Sequence, residues 1–482
     1  MKESIFRNPW QKKKEKDCGR YMKKILTQEE KFLQMTQTPI PSLICRLSVP
    51  TIVSMMVTSL YNMADTFFVG QIGTSATAAV GVVFSLMAVI QALGFTFGHG
   101  SGNYMARALG SRETKTAEEM AATGFFSALI AGGVLAILGL IFLDPLVRML
   151  GATETILPYA RDYAGYILIG MPYMVAALTL NNQIRYQGNA FYAMCGIASG
   201  AVLNVVLDPI FIFTLNMGVG GAALATILSQ FVSFCILLAN TYRGGNIPIR
   251  LRNFKPRWEY YRQIARGGLP SFYRQGLASA ATIFLNLAAG PYGDAAIAAM
   301  GIVNRVSMFA SSAMLGFGQG FQPVCGFNYG AQLYHRVSKA FWFCVKLAFG
   351  FLAAFAVVEF LFAPQIVAIF RRDDPEVIRI GTTALRLQCI TLPLTAWIVI
   401  CNMMCQTIGK AFKASVLAMA RQGLFFLPLI WVLPPLVGMI GVQISQPVSD
   451  ALTFVLAVPM GISVLREMQR DQTQLDTQQR GL

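Results

Sequence analysis

The chain has 482 residues, of which 55% are hydrophobic and only 13% charged, with a formal net charge of +16. So few polar side chains cannot clothe a water-soluble fold of this length, whereas lipid requires none, so the composition places the chain in a bilayer. The positive excess does not call for a nucleic-acid partner, because it reflects membrane topology and attraction to anionic lipid.

Residues 1–45 form a polar, basic arm containing Lys12, Lys13, Lys14, Lys16, Lys23 and Lys24. The arm has no short apolar core with a small-residue cleavage site, so the first span is expected to serve as an uncleaved anchor. Met22 precedes Lys23 and Lys24 much as Met1 precedes Lys2, which makes Met22 an alternative start of translation.

A spanning helix needs ~20 apolar residues, and twelve such segments follow. Six lie at roughly 46–69, 77–104, 120–143, 159–182, 190–214 and 219–240. A basic linker over 241–267 carries Arg243, Arg250, Arg252, Lys255, Arg257, Arg262 and Arg266. Six more lie at roughly 268–289, 296–320, 339–363, 380–404, 413–434 and 438–463, before a polar tail over 464–482. The loops near Thr74, Asn216 and Gly438 lack Lys and Arg, so the positive-inside rule assigns both termini and the linker to the cytoplasm.

The second half repeats the first at a shift of 220 residues: Pro50, Gly70, Gly73, Gly81, Gly98, Gly100 and Gly110 recur as Pro270, Gly290, Gly293, Gly301, Gly318, Gly320 and Gly330. The expected fold is an all-α polytopic membrane protein, twelve helices in two homologous six-helix bundles. Such a duplication suits a transporter that rocks two halves about a central site, and the expected state is a monomer. The nine cysteines show no zinc or redox spacing and read as small buried hydrophobes, for example Cys195, Cys235, Cys344 and Cys401.

Function is sought in the polar groups that a bilayer excludes, because a carboxylate at the centre of a span costs ~2.5–3.5 kcal/mol. Asp65 lies nineteen residues past Arg46 on the first span, and Asp208 nineteen past Asn189 on the fifth. At ~1.5 Å of rise per residue, both sit about 30 Å from the cytoplasmic start of their helices. Tyr61 and Asn204 precede them by one turn on the same faces, Thr226 on the sixth span falls at comparable depth, and Asn181 on the fourth adds an amide. Two carboxylates in one pocket can load and release a proton, or hold Na+ with Asn204 when both are ionised. Taken singly, Asp65 also fits an interfacial residue and Asp208-Pro209 the cap of a broken helix; their matched depth and companions favour a joint role.

The run Tyr61-Asn62-Met63-Ala64-Asp65-Thr66-Phe67-Phe68-Val69-Gly70, with Pro50, Ile72-Gly73-Thr74, Asn204, Asp208-Pro209 and the stretch from Gly218 to Thr226, resembles the multidrug and toxic compound extrusion (MATE) transporters. The similarity covers nearly the whole chain after Ile40 and is closest to the DinF-type, MepA-like branch. It implies an N-lobe acidic cluster of Asp65 and Asp208 with Tyr61, Asn204, Thr226 and Asn181. It further implies export of amphipathic, often cationic compounds across a bacterial inner membrane in exchange for H+ or Na+, with no cofactor.

One departure bears on the ion. Sodium-coupled relatives of the NorM-like branch carry acidic residues on helices seven and ten, whereas the spans around Ile283 and Ile390 have none. The second half instead holds Asp450 and Glu359, facing Arg274, Arg305 and Lys346; an ion pair such as Asp450 with Arg305 and a substrate contact are both open readings. Pro50 reads either as a hinge in the first helix or as its first turn. Gly98 to Gly102, Gly196 to Gly200 and Gly316 to Gly320 mark close helix packing, and His99 reads as a satisfied packing residue.

The competing transport reading, a flippase of lipid-linked saccharides, calls for a cavity rich in Arg and Lys to grip pyrophosphate. An enzyme calls for convergent motifs such as His-Glu-x-x-His, which a chain with two histidines does not have, and a receptor calls for an ectodomain.

Overall fold

The computed structural model describes residues 27–371 and 374–480, all helix and connecting loop. In chain order the helices are α1 (Gln28–Gln37), α2 (Ile40–Gly70), α3 (Thr74–Gly110), α4 (Thr114–Ile141), α5 (Leu143–Met149), α6 (Leu157–Tyr186), α7 (Ala190–Pro209) and α8 (Gly218–Thr241). The second half contributes α9 (Trp258–Ala289), α10 (Asp294–Gly330), α11 (Tyr334–Leu361), α12 (Ala363–Phe370), α13 (Pro375–Thr391), α14 (Thr395–Thr407), α15 (Ala411–Met419), α16 (Phe426–Val437) and α17 (Met439–Arg480).

Eleven of the described helical segments are long and apolar enough to cross a membrane. The seventh expected span, at 268–289, lies in α9, which has the length at 32 residues but carries Arg274 and Gln275 within it. Proline shapes several others. Pro209 is followed by a π-helical turn over Ile210–Thr214, and α13 gives way to α14 through a 3-10 turn containing Pro393, because proline supplies no N–H to the helical ladder. Pro50 stands ten residues inside α2, so it does not begin that helix, and its repeat mate Pro270 is likewise interior to α9.

The buried apolar side chains form three clusters that define the shape. One, at the end bearing the termini, draws on both halves: Leu43, Met105, Ile184 and Tyr260 pack with Phe321, Phe327, Cys401 and Met404. At the opposite end the halves have separate cores, one around Val69, Ala79, Tyr163 and Val219, the other around Ala289, Ala299, Val377 and Phe426. The two lobes therefore join at the terminal end and part toward the other, leaving a cleft between them.

Glycine makes the junction close. A Cβ on Gly110 would lie 2.2 Å from Phe327 O, and one on its repeat mate Gly330 would lie 2.1 Å from Arg107 O. Gly316 and Gly320 bring α10 onto Ile52 and Ser48 of α2, where Thr51 Oγ1 donates to Gly316 O at 2.6 Å. The close-packing reading of these glycines holds, also for Gly98 and Gly102, which lie under Asn182 and Tyr186.

The polar arm departs from expectation. Its last part folds as α1, started by a capping box between Thr27 and Glu30, and it docks rather than standing in solvent. Gln28 Nε2 donates to Gly245 O at 2.9 Å, Lys31 Nζ to Asn246 Oδ1 at 3.2 Å, and Asn328 Nδ2 of the other lobe to Met35 O at 3.1 Å. The alternative start at Met22 lies outside the described residues.

Candidate functional site

The N-lobe site is assembled by the α7–α8 hairpin. Gly200 lets the two helices touch: its Cβ would stand 2.8 Å from Ser233 Cβ and 3.0 Å from Ser229 O, and Ser233 Oγ donates to Gly196 O at 2.7 Å. One turn farther along the antiparallel pair, Asn204 meets Thr226. Asn204 Nδ2 donates to Asp208 Oδ1 at 3.1 Å and approaches Thr226 Oγ1 at 3.4 Å. Asn204, Asp208 and Thr226 are all buried.

Asp65 enters from α2, one turn past Tyr61, and its charge acts on Asp208, so the two carboxylates share one pocket. Tyr163 of α6 joins them. Its fully enclosed phenol faces Thr226, Asp65, Tyr61 and Asp208, and it is a member that the sequence did not reveal. Tyr61 in turn lines an N-lobe cavity together with Gln91, Met174 and Gln230.

The unmet hydrogen-bonding capacity of this cluster is one-sided. Asp65 Oδ1, Asp208 Oδ2 and Asn204 Oδ1 are buried oxygens without partners, and the nearest amide donor is already spent on Asp208. Buried polar atoms in folded proteins are ordinarily paired, so three unsatisfied acceptors around two carboxylates make a site that a proton or a small hard cation complements.

Asn181 does not belong to the cluster. Its amide donates to Ala193 O at 3.0 Å, at the start of α7, while Asp208 lies fifteen residues farther along that helix. Asn402 makes the matching bond to Ala414 O at 2.7 Å, so the pair is a repeated tie between consecutive spans. Its depth is wrong for the acids: Asn181 is only eight residues from Asn189 in the terminal-end turn, whereas Asp208 is nineteen from it.

The C-lobe acid is held in an ion pair, one of the two readings left open, but its partner is not Arg305. Asp450 is buried and takes Arg421 in a fork, at 2.7 Å from Nε and 3.2 Å from Nη2, plus Gln446 Nε2 at 2.8 Å. Arg305 is exposed on α10 and is not its partner, because Arg421 in the π-helical turn Ala420–Phe425 presents its guanidinium across the hairpin. Glu359 is buried and receives the Cys389 thiol at 3.4 Å. Arg274 reaches Asn402 Oδ1 at 3.4 Å. The C-lobe cavity is lined by amides, Asn304, Gln388, Gln443 and Gln446, rather than acids. His99 packs edge-on between Phe95 and Tyr186, with the Gln406 side chain beside it as its hydrogen-bonding neighbour.

Comparison with known proteins agrees with this architecture. A protein described as multidrug export protein MepA, from Staphylococcus haemolyticus, is 25% identical over 449 residues, covering 93% of this chain and 99% of its own. A solved structure of a MATE protein in a bent conformation superposes with a TM-score of 0.86 at 30% identity, over 92% of this chain and 99% of its own. Another, the outward-facing conformation of a multidrug resistance MATE family transporter of the MOP superfamily, gives 0.85 at 30% identity over 91% and 98%. The family described as MatE matches twice, over residues 50–210 and 270–432, one match for each copy of the internal repeat. With both halves matched and the whole fold superposed on solved members, the chain belongs to the MatE family of membrane transporters.

Proposed function

We propose that the protein is a secondary active multidrug exporter, which expels amphipathic, often cationic compounds in antiport with H+ or Na+ by alternating access. The observation that carries the coupling site is the set of three unpartnered acceptor oxygens on Asp65, Asp208 and Asn204, one turn from a cavity lined by Tyr61 and Gln230. A cation entering that set meets two carboxylates that repel each other when both are ionised, so proton or sodium binding relieves strain that an empty site retains. The cleft opens away from the termini. With the termini in the cytoplasm, as the basic linker favours, the present conformation faces outward across the inner membrane. Pro50 supplies no N–H for the helix bond four residues back, so α2 can bend there when Asp65 takes up its ion, narrowing the N-lobe cavity as drug leaves.

The test is efflux of ethidium from cells lacking their own pumps, driven in turn by an imposed pH or sodium gradient. Wild type should export with one gradient effective, and Asp65→Asn and Asp208→Asn should abolish export at matched membrane levels. Normal export by both variants refutes the coupling site, and absence of dye movement by wild type refutes the multidrug reading.

A further inference from the structure

At the floor of the cleft, where the lobes meet, the charges do not balance. Arg185, in the last turn of α6, is 1% exposed. It donates to Gln319 Oε1 of the other lobe and, at 2.7 Å, to Asn182 Oδ1, while its buried Nε has no partner. Arg274 arrives from α9 with a single long bond, 3.4 Å to Asn402 Oδ1. The two guanidinium charges act on each other, and both act on His99. That imidazole is fully buried, with Nδ1 3.5 Å from Tyr186 Oη and the Gln406 side chain as its other polar neighbour.

Among the described residues, no carboxylate stands within ion-pair distance of either arginine. Arg421 shows how this fold otherwise treats a cation within a span, by giving it the buried Asp450 as a two-pronged partner. Neutral amides and the negative end of α6 offset part of the Arg185 charge, but a buried guanidinium with a half-buried one acting on it still calls for an opposite charge.

We propose that Arg185, Arg274 and His99 form an anion site at the cleft floor, which takes one monovalent anion: the carboxylate of an amphipathic solute, or a halide. The planar fork of Arg274 suits a carboxylate, and unlike Arg185 it is only half-buried, so it is reachable from the cleft. The site lies near the N-lobe cavity: Gln275, next to Arg274 in α9, donates at 3.2 Å to Gln91, which lines that cavity. Acid in the N-lobe and base at the floor give the cleft two poles, the arrangement that recognises a zwitterion. The transport consequence rests on the export function proposed above; the binding consequence does not.

The experiment compares export of a zwitterionic rhodamine bearing a free carboxylate with export of its methyl ester, a cation of the same shape, by wild type, Arg274→Gln and Arg274→Lys. Arg274→Gln should lower export of the acid about tenfold, the worth of one charge-assisted hydrogen bond, and leave the ester within about twofold; Arg274→Lys should retain most of the acid's export. If both dyes instead slow together when chloride is replaced by gluconate, in wild type and not in Arg274→Gln, the occupant is the halide. Equal loss of both dyes in both variants regardless of chloride overturns the proposal, as does no change in either. A binding readout stands apart from export: benzoate or chloride should raise the unfolding temperature of purified wild type and not of Arg274→Gln. If wild type exports neither dye, the export function fails while this readout still decides the anion site, and the absence of any shift overturns it.

Discussion

Placing a methyl group on Gly330 should force the lobes apart at the terminal end. A Cβ there would lie 2.1 Å from Arg107 O, and one on Gly110 would lie 2.2 Å from Phe327 O, whereas ordinary contact begins near 3.4 Å. Backbone cannot rotate aside as a long side chain can, so the helices must separate by roughly 1 Å or bear the clash, and such overpacking costs about 1–3 kcal/mol. Gly330 lies in the last turn of α10, and any gain in helix propensity from alanine is shared by every conformation in which α10 persists, so it cancels from the balance between them. The closed-to-open ratio at this junction should fall about 5- to 150-fold in Gly330→Ala. The two sites press on the same crossing, so the double variant should cost less than the sum. Cys325 is a native reporter: it is fully buried beside Gly326, which abuts Ala106 of the opposite lobe. With the other cysteines replaced, its rate of modification by a membrane-impermeant thiol reagent applied from the terminal side should rise by that factor. Gly81→Ala and Gly301→Ala, whose methyls meet nothing within 4 Å, serve as controls and should leave the rate unchanged. An unaltered rate in a folded Gly330→Ala protein refutes the claim that backbone contact at this crossing sets the closed state.

Three further outcomes follow from the same geometry. Tyr163→Phe removes the phenol from the acidic cluster without changing shape; it should shift the pH or sodium dependence of dye efflux while leaving the unfolding temperature near wild type. Asp450→Asn leaves the Arg421 charge buried without its partner and should cost about 3–5 kcal/mol, read as a lower unfolding temperature, with the paired Arg421→Met, Asp450→Leu variant recovering most of it. Lys31 is held near pKa 7, below its ordinary 10.5, because docking of α1 strips its ammonium of water. An undocked arm binds that proton below about 10.5 and a docked one only below about 7, so docking strengthens as pH rises between those values. The full cost, about 5 kcal/mol, is reached at pH 7 and is constant below it. Lys31→Met should therefore dock more tightly at neutral pH and remove the pH dependence, measured as protection of residues 28–37 from proteolysis between pH 7 and 10.

The spans were legible because an apolar run of membrane length has few other uses, and the acids because a carboxylate inside such a run is costly. Depth groups Asp65, Asp208 and Thr226, helical spacing adds Asn204, and in the structure Asn204 bonds Asp208 and approaches Thr226. Depth also speaks against Asn181: eight residues from Asn189 is about 12 Å, less than half the depth of Asp208. Tyr163 was hidden for a different reason, since a tyrosine near the start of a span looks like an interfacial anchor. Arg421 carried a visible signal, a lone cation inside the eleventh span, but its partner is 29 residues away across a hairpin and no helical spacing links them. The docking of α1 was unreadable because its partners, Gly245, Asn246 and Asn328, lie more than 200 residues from it.

Duplication explains the scaffold and, by its failures, points to the chemistry. The repeat is faithful where backbones touch: Gly110 and Gly330 each meet the other lobe's main chain, and Asn181 and Asn402 make the same inter-helix tie. It breaks where charge is buried. At the shift of 220, Thr226 corresponds to Gln446 and Gln230 to Asp450, so the two lobes place their acids on different helices. The C-lobe acid is neutralised by Arg421 and Gln446, while the N-lobe acids keep unpaired oxygens. At the floor, His99 and its mate Gln319 differ again, and Arg185 has only neutral partners. A fold held by symmetric packing has no structural need for such one-sided polar groups, and an unpaired buried charge destabilises it. In the proposed working cycle a cation at Asp65 and Asp208 and an anion at Arg185 and Arg274 would offset that cost. The stability of the purified protein should accordingly rise with each ion separately, and the two increments should add, because the sites share no hydrogen-bond partner.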